Sequence, residues 1–205
     1  MKQITIEDDE AYLRQISEEV SFDDSSLADD IQTLKKYCTE LDCFAMAAVQ
    51  LGIPKRMIYL KNTNMEIANH LQFGIDIEVA KNYDEQRVLI NPVVLNREGL
   101  TLYWEACASC MNNMGLVKRP YRIEVLYYDP SGEKHVDVFE GFESTVLSHE
   151  LDHLDGVLHI DKSLEIKVLP AKERAKFRQT HDYEIISKDG DFEKLSQEYK
   201  RKLSK

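Results

Sequence analysis

Nowhere in these 205 residues is there an apolar run of the roughly 20 residues that a membrane-spanning helix needs, so no membrane partner is expected. The start, MKQITIEDDEAYLRQISEEV, lacks an apolar stretch between a basic head and a cleavage site, so no secretory signal is read there and a cytoplasmic location is expected. Cysteine is scarce, at four residues, and in that compartment the expectation is thiols, metal ligands or redox groups and not a disulfide framework. Lysine and arginine number 26 against 37 aspartates and glutamates. A net charge of -11 argues against DNA as a partner, because phosphate binding needs a positive field. Low-complexity tracts and internal repeats are missing as well. What remains is an ordinary globular balance, 43% hydrophobic and 31% charged, in a chain long enough to bury a core.

Along the chain, SSLADDIQTLKKYCTEL (25–41) spaces Leu27, Ile31, Leu34, Cys38 and Leu41 three or four apart, which predicts an amphipathic helix capped by the preceding serines. CFAMAAVQLGIPKRMIYL follows, with Gly52 and Pro54 marking a turn before a short strand, RMIYL. Residues 61–87 are polar and loosely patterned and read as a surface insertion. VLINPVVL (88–95) reads as a strand that Pro92 confines to an edge or a bulge. The alternation of RIEVLYYD and KHVDVFEGF around DPSG predicts a hairpin. A helix is expected from about Ser144, with Val146, Leu147, Leu151 and Leu154 buried and Gly156 at its end. Two segments result: 1–165, and a charged, largely helical extension over 166–205 that ends in the basic YKRKLSK.

The chemistry concentrates at His149–His159, HELDHLDGVLH. On a helix, residues four apart lie one turn above each other, so His149 and His153 can face one metal ion with Glu150 beside them as acid and base. Catalytic sites of this kind usually take three protein ligands. The stretch also satisfies H-E-x-x-H-x-x-G-x-x-H, in which His159 would be the third ligand of a metzincin protease. That reading needs a methionine turn downstream, and no methionine follows His149.

Three motifs in fixed order supply another reading: CFAMAAVQ at 43–50, EACASC at 105–110 and HELDH at 149–153, with INP at 90–92 and KRPYRIEVLYYDPSG at 118–132 as flanks. In these, over roughly residues 10 to 165, the chain resembles the peptide deformylase family. The resemblance implies an α+β fold, antiparallel β-sheets around a central helix that carries HELDH. It implies Cys107, His149 and His153 as ligands of one divalent metal, iron(II) favoured over zinc, nickel or cobalt. It further implies Glu150 as general acid and base, Gln50 with the N–H of Ala108 as the oxyanion hole, and Phe44, Ala45 and Glu105 against the substrate. Its reaction is hydrolysis of the N-formyl group from the initiator methionine of nascent polypeptides, with release of formate. N-formylated nascent peptides are then the expected partners, with the ribosome surface as a candidate partner of the basic tail.

The chain departs from the family pattern where Cys43 and Ala45 replace glycines of the first motif and Ala106 one of the second. A thiol and two methyls in place of hydrogens bear on the channel along which substrate lies, while no ligand, glutamate or glutamine is lost. Alternatives are a hydrolase of another N-acyl or peptide substrate, and a non-catalytic homologue that binds formylated peptides or the ribosome. Cys107 and Cys110 also form a C-x-x-C, but no helix opens there as a redox pair requires, and Cys110 reads as a bystander.

Overall fold

The computed structural model describes residues 3–41, 43–61, 87–181 and 183–203. The insertion expected over 61–87 therefore lies, apart from Lys61 and Arg87, outside the described residues. In chain order the elements are helices α1 (Ile6–Leu13) and α2 (Leu27–Glu40), strands β1 (Ala45–Ala47), β2 (Met57–Leu60), β3 (Arg87–Ala106), β4 (Asn113–Arg119), β5 (Arg122–Tyr128) and β6 (Lys134–Glu140), then helices α3 (Gly141–Leu154) and α4 (His159–Lys162). Strand β7 (Ser163–Val168), helix α5 (Ala171–Arg178), strand β8 (Glu184–Asp191) and helix α6 (Phe192–Leu203) complete them. The fold is α+β, and its strand pairings are antiparallel throughout one eight-stranded sheet.

Period-two alternation sorts the sheet's side chains between two helices. Ala45, Ala47, Ile58, Leu60 and Leu89 meet Phe142, Val146, Leu147 and Leu151 of α3. Met46, Met57, Tyr59, Val88 and Ile90 meet Leu27, Ile31, Leu34 and Cys38 of α2 on the opposite face. The helix predicted from the spacing of those four α2 positions is present. Its predicted serine cap is not: Ser26 stands at the N-cap in helical backbone, and its hydroxyl donates to Asp24 (2.9 Å) and Asp30 (3.1 Å) instead of accepting from the first turn. Helix α1 is set by a capping box between Thr5 and Asp8.

Strand β3 organises the rest. Pro92 sits at a register shift between Ile90 and Val93, so the missing N–H falls at a bulge, as expected. Before that point β3 pairs with β2; from Glu98 it pairs with β8 and from Thr101 with β4. Soon after EACASC comes β4, which returns along β3 from Thr101 to Ala106 and places Cys107 in the connecting loop. The DPSG hairpin forms as predicted, with β5 and β6 in unbroken register. Helix α3 begins three residues earlier than expected, at Gly141, and ends at Leu154. Gly156 lies just past it at φ +70°, where an added Cβ would stand 2.2 Å from the carbonyl oxygen of Arg14. No helix among the described residues is long and apolar enough to cross a membrane.

Candidate metal centre and active site

Two elements converge on one point. Strand β3 ends at Ala106 and delivers Cys107, while α3 presents His149 and His153 one turn apart. The candidate ligand atoms of these three residues all lie within 4.8 Å of one another, and Cys107 Sγ stands 3.3 Å from His153 Nε2. His149 Nδ1 is engaged by Glu105 Oε2 at 2.8 Å, which leaves the other ring nitrogen for the centre. A carboxylate behind a histidine in this manner fixes the ring and its tautomer.

Glu105 is itself held. Arg119, on β4 and only 2% exposed, reaches it through Nε at 2.7 Å and Nη2 at 2.9 Å, and donates through Nη1 to Asp152 at 2.5 Å. Lys162 closes the chain on Asp152, also at 2.5 Å. Burial works to raise the Glu105 carboxyl, but Arg119 and His149 hold it well below the usual carboxylate range. Burial likewise works to lower His149, and Cys107 and Glu105 hold it well above the usual histidine range. Cys107 and Glu105 thus favour positive charge beside them, on the side of His149. A buried thiol with two imidazoles also suits first-row divalent ions.

Glu150 is 6% exposed, and its Oε2 has no hydrogen-bond partner. Burial pushes its carboxyl up to about 7, against the pull of His149. A carboxyl near that value can both take and return a proton at neutral pH. Gln50, in the short 3-10 turn after β1, has its Oε1 anchored by the backbone N–H of Ala47 at 3.0 Å. Its amide nitrogen is thereby turned toward Cys107 Sγ (3.4 Å) and Ser109 Oγ (3.1 Å). Glu150, Gln50 and Cys107 line one cavity of about 220 Å³. Phe44, Ala45, Gln50, Glu105, Cys107, Ala108, His149 and Glu150, candidates from the sequence, share that lining. Beside them Phe44, Tyr103, Phe142 and Val146 make an apolar wall, with Phe142 edge-on to Phe44 (5.2 Å) and to Tyr103 (5.4 Å). Strand β1 pairs with β2 alone among the described strands, and its residues Ala45 and Met46 contribute to the cavity lining.

His159 is 1% exposed and stacks on His149 with ring centroids 5.5 Å apart, outside the group of three. That agrees with packing and leaves the metzincin reading without its third ligand. None of the four cysteines is in a disulfide. Cys110 packs with Leu13 and Leu158 in a small apolar cluster, so its place is in the core. A second carboxylate and histidine group, Asp129, Glu133 and His135, is a turn: Asp129 accepts from the N–H groups of Ser131 (2.8 Å) and Glu133 (3.0 Å) and pairs with His135. Sequence reasoning missed Arg119, Gln3, Ser109, Arg174 and Arg178. The last two reach the cavity from α5.

An α+β scaffold with a thiol, two imidazoles and a raised carboxyl on the wall of a cleft is the architecture of a metallohydrolase. Comparison with known proteins narrows this class. A family model described as Polypeptide deformylase matches residues 1–168. The chain is 33% identical to the peptide deformylase of Pelagibacter ubique over 76% of its own length and 82% of that protein, and 35% identical to that of Rhizobium meliloti over 76% and 81%. Its fold matches the crystal structure of a probable peptide deformylase from Synechococcus phage S-SSM7 with a TM-score of 0.65 and 29% identity, over 79% of this chain and 99% of that one. The chain belongs to the polypeptide deformylase family. These are metal-dependent hydrolases acting on formylated nascent peptides.

Proposed function

We propose that the chain is a working peptide deformylase in which Cys107, His149 and His153 hold one divalent ion, iron(II) by preference over zinc, nickel or cobalt. When bound, such an ion polarises a carbonyl and makes water more acidic. The chain's own groups account for the remainder. The apolar wall of Phe44, Tyr103, Phe142 and Val146 takes the methionine side chain, and the unpaired edge of β1 aligns the peptide backbone as an added strand. Gln50 Nε2 and the N–H of Ala108 hold the formyl oxygen as negative charge develops on it. Glu150 takes a proton from the attacking water at its unpartnered Oε2 and gives it to the departing amine nitrogen. The formyl C–N bond breaks, and formate and a free methionine amine leave. In this reading residues 1–165 carry catalysis in the cytoplasm and 166–205 form an extension. The basic end, YKRKLSK, is the part of an otherwise acidic chain suited to the ribosome surface from which substrate emerges.

One observation carries the proposal: buried Glu150, whose Oε2 has no hydrogen-bond partner, shares a cavity with Cys107 and His149, and His153 completes a group whose cysteine lies 42 residues before its nearer histidine, as 149 less 107 gives. Formate release from a short formyl-Met peptide, by anaerobically prepared iron(II)-loaded protein, tests it beside Glu150→Gln. The expected result is turnover in the wild type and a loss of about 10²-fold or more in the variant with metal retained. A metal-loaded wild type without turnover would move the function to another acyl substrate or to binding alone.

A further inference from the structure

Beyond residue 168, where the family match ends, the chain adds α5, and this helix brings two arginines to the catalytic cavity. Arg174 and Arg178 lie one turn apart. Arg178 is buried, donates through Nε and Nη2 to the carbonyl of Trp104 (3.3 and 3.0 Å), and lies over the ring of Tyr103. Arg174 is half-buried and pinned by backbone: its Nε donates to the Leu169 carbonyl at 3.2 Å and its Nη2 to the Met111 carbonyl.

What Arg174 lacks is a carboxylate. Among the described residues it has no ion-pair partner, and the charged groups acting on it are Arg178, which repels it, and the Cys107 thiol. Burial and Arg178 together pull its pKa below the usual guanidinium value. The contrast within the same chain is sharp. Arg119 has Glu105 and Asp152, and Arg122 has Glu98 and Glu140. In a protein with 37 acidic residues, a half-buried guanidinium fixed in a cavity wall without one of them is a place prepared for an anion brought from outside.

We propose that Arg174 is a specificity-determining residue that binds a carboxylate of the peptide beyond its formyl-methionine. The inference rests on the deformylase reading of the same cavity. The methionine itself is accounted for by the apolar wall, so the carboxylate comes either from an acidic side chain early in the substrate or from the C-terminus of a short formyl peptide.

Two substrate pairs separate these sources: formyl-Met-Ala-Ser against its C-terminal amide, and formyl-Met-Asp-Ala amide against formyl-Met-Asn-Ala amide. In the metal-loaded wild type, the charged member of one pair is expected to exceed its neutral partner about tenfold in kcat/KM, mainly through KM, with the advantage shrinking as salt is added. In Arg174→Met that ratio should fall to within about twofold of one, and Arg174→Lys should keep part of it, since charge remains but the fork does not. Equal rates within both pairs in the wild type, or a ratio that survives in Arg174→Met, would overturn the proposal. Turnover of the neutral peptides by the wild type tests the deformylase reading separately. Calorimetric Kd values for the same four peptides on metal-loaded Glu150→Gln read the charge ratio without turnover, and a ratio of one there also overturns it.

Discussion

Arg119 shows how one residue ties stability to function. Its guanidinium links Glu105, which orients His149, to Asp152, which is also held by Lys162, and all of it sits under the candidate centre. Arg119→Met should leave two carboxylates buried without their partner, at a cost of about 3–5 kcal/mol. Metal affinity should fall about 10- to 100-fold as His149 loses its fixed orientation. Denaturant unfolding and chelator competition measure the two effects, and a variant of unchanged affinity would show that Glu105 needs no support. The ligand candidates Cys107, His149 and His153 were legible because they fall in short local motifs. Arg119 was not. A strand arginine has the same sequence signature whether it points to solvent or inward; the β3–β4 register sets Arg119 opposite Thr101, and its long side chain reaches Glu105 from there.

At the scale of elements, β8 was illegible for a related reason. EIISKDGD is half polar, and its burial pattern is exposed at alternate positions because it lies at the outside of β3. The charge of the tail predicted helix, and α5 and α6 are helical, but pairing to β3 decides the segment between them. That pairing depends on Gly99, at φ +71°, where an added Cβ would stand 2.6 Å from the Ser187 carbonyl oxygen and 2.8 Å from that of Lys188. Gly99→Ala combines left-handed strain with a clash against backbone that cannot yield. It should destabilise by about 1–3 kcal/mol and loosen β8. Limited proteolysis reads the second effect: cleavage between 179 and 191 should quicken in the variant, and unchanged cleavage would show β8 held by its other contacts. By contrast, α2, the DPSG hairpin and the Pro92 bulge were legible, since periodicity and turn chemistry act locally.

Across the whole molecule, the aromatic wall makes an alkaline limit. Burial raises both Tyr103 and Tyr183 to about 12. Their rings meet each other at 5.9 Å, and each meets Phe142. A folded-state pKa above the unfolded value of 10.0 means that the native chain holds these protons more tightly. Stability is therefore intact below pH 10 and is lost as pH rises from 10 toward 12, at up to about 1.4 kcal/mol per unit for each tyrosine. Urea midpoints at rising pH should fall across that window, and Tyr183→Phe should flatten the decline. A slope unaffected by Tyr183→Phe would assign the limit elsewhere.

The attachment of β8 to β3 also has a consequence for the order of events during synthesis. Residues 98–102 of β3 are made long before their partners at 184–191, and α5, which brings Arg174 and Arg178 to the cavity, stands between the two. Contacts so distant along the chain close late. The core of α3 against β1, β2 and β3 can assemble while residues 166–205 are still being translated, but one wall of the cleft cannot. A young copy would thus present its metal-ligating side chains in an open trough first, and acquire its two arginines only when Asp191 is free of the ribosome.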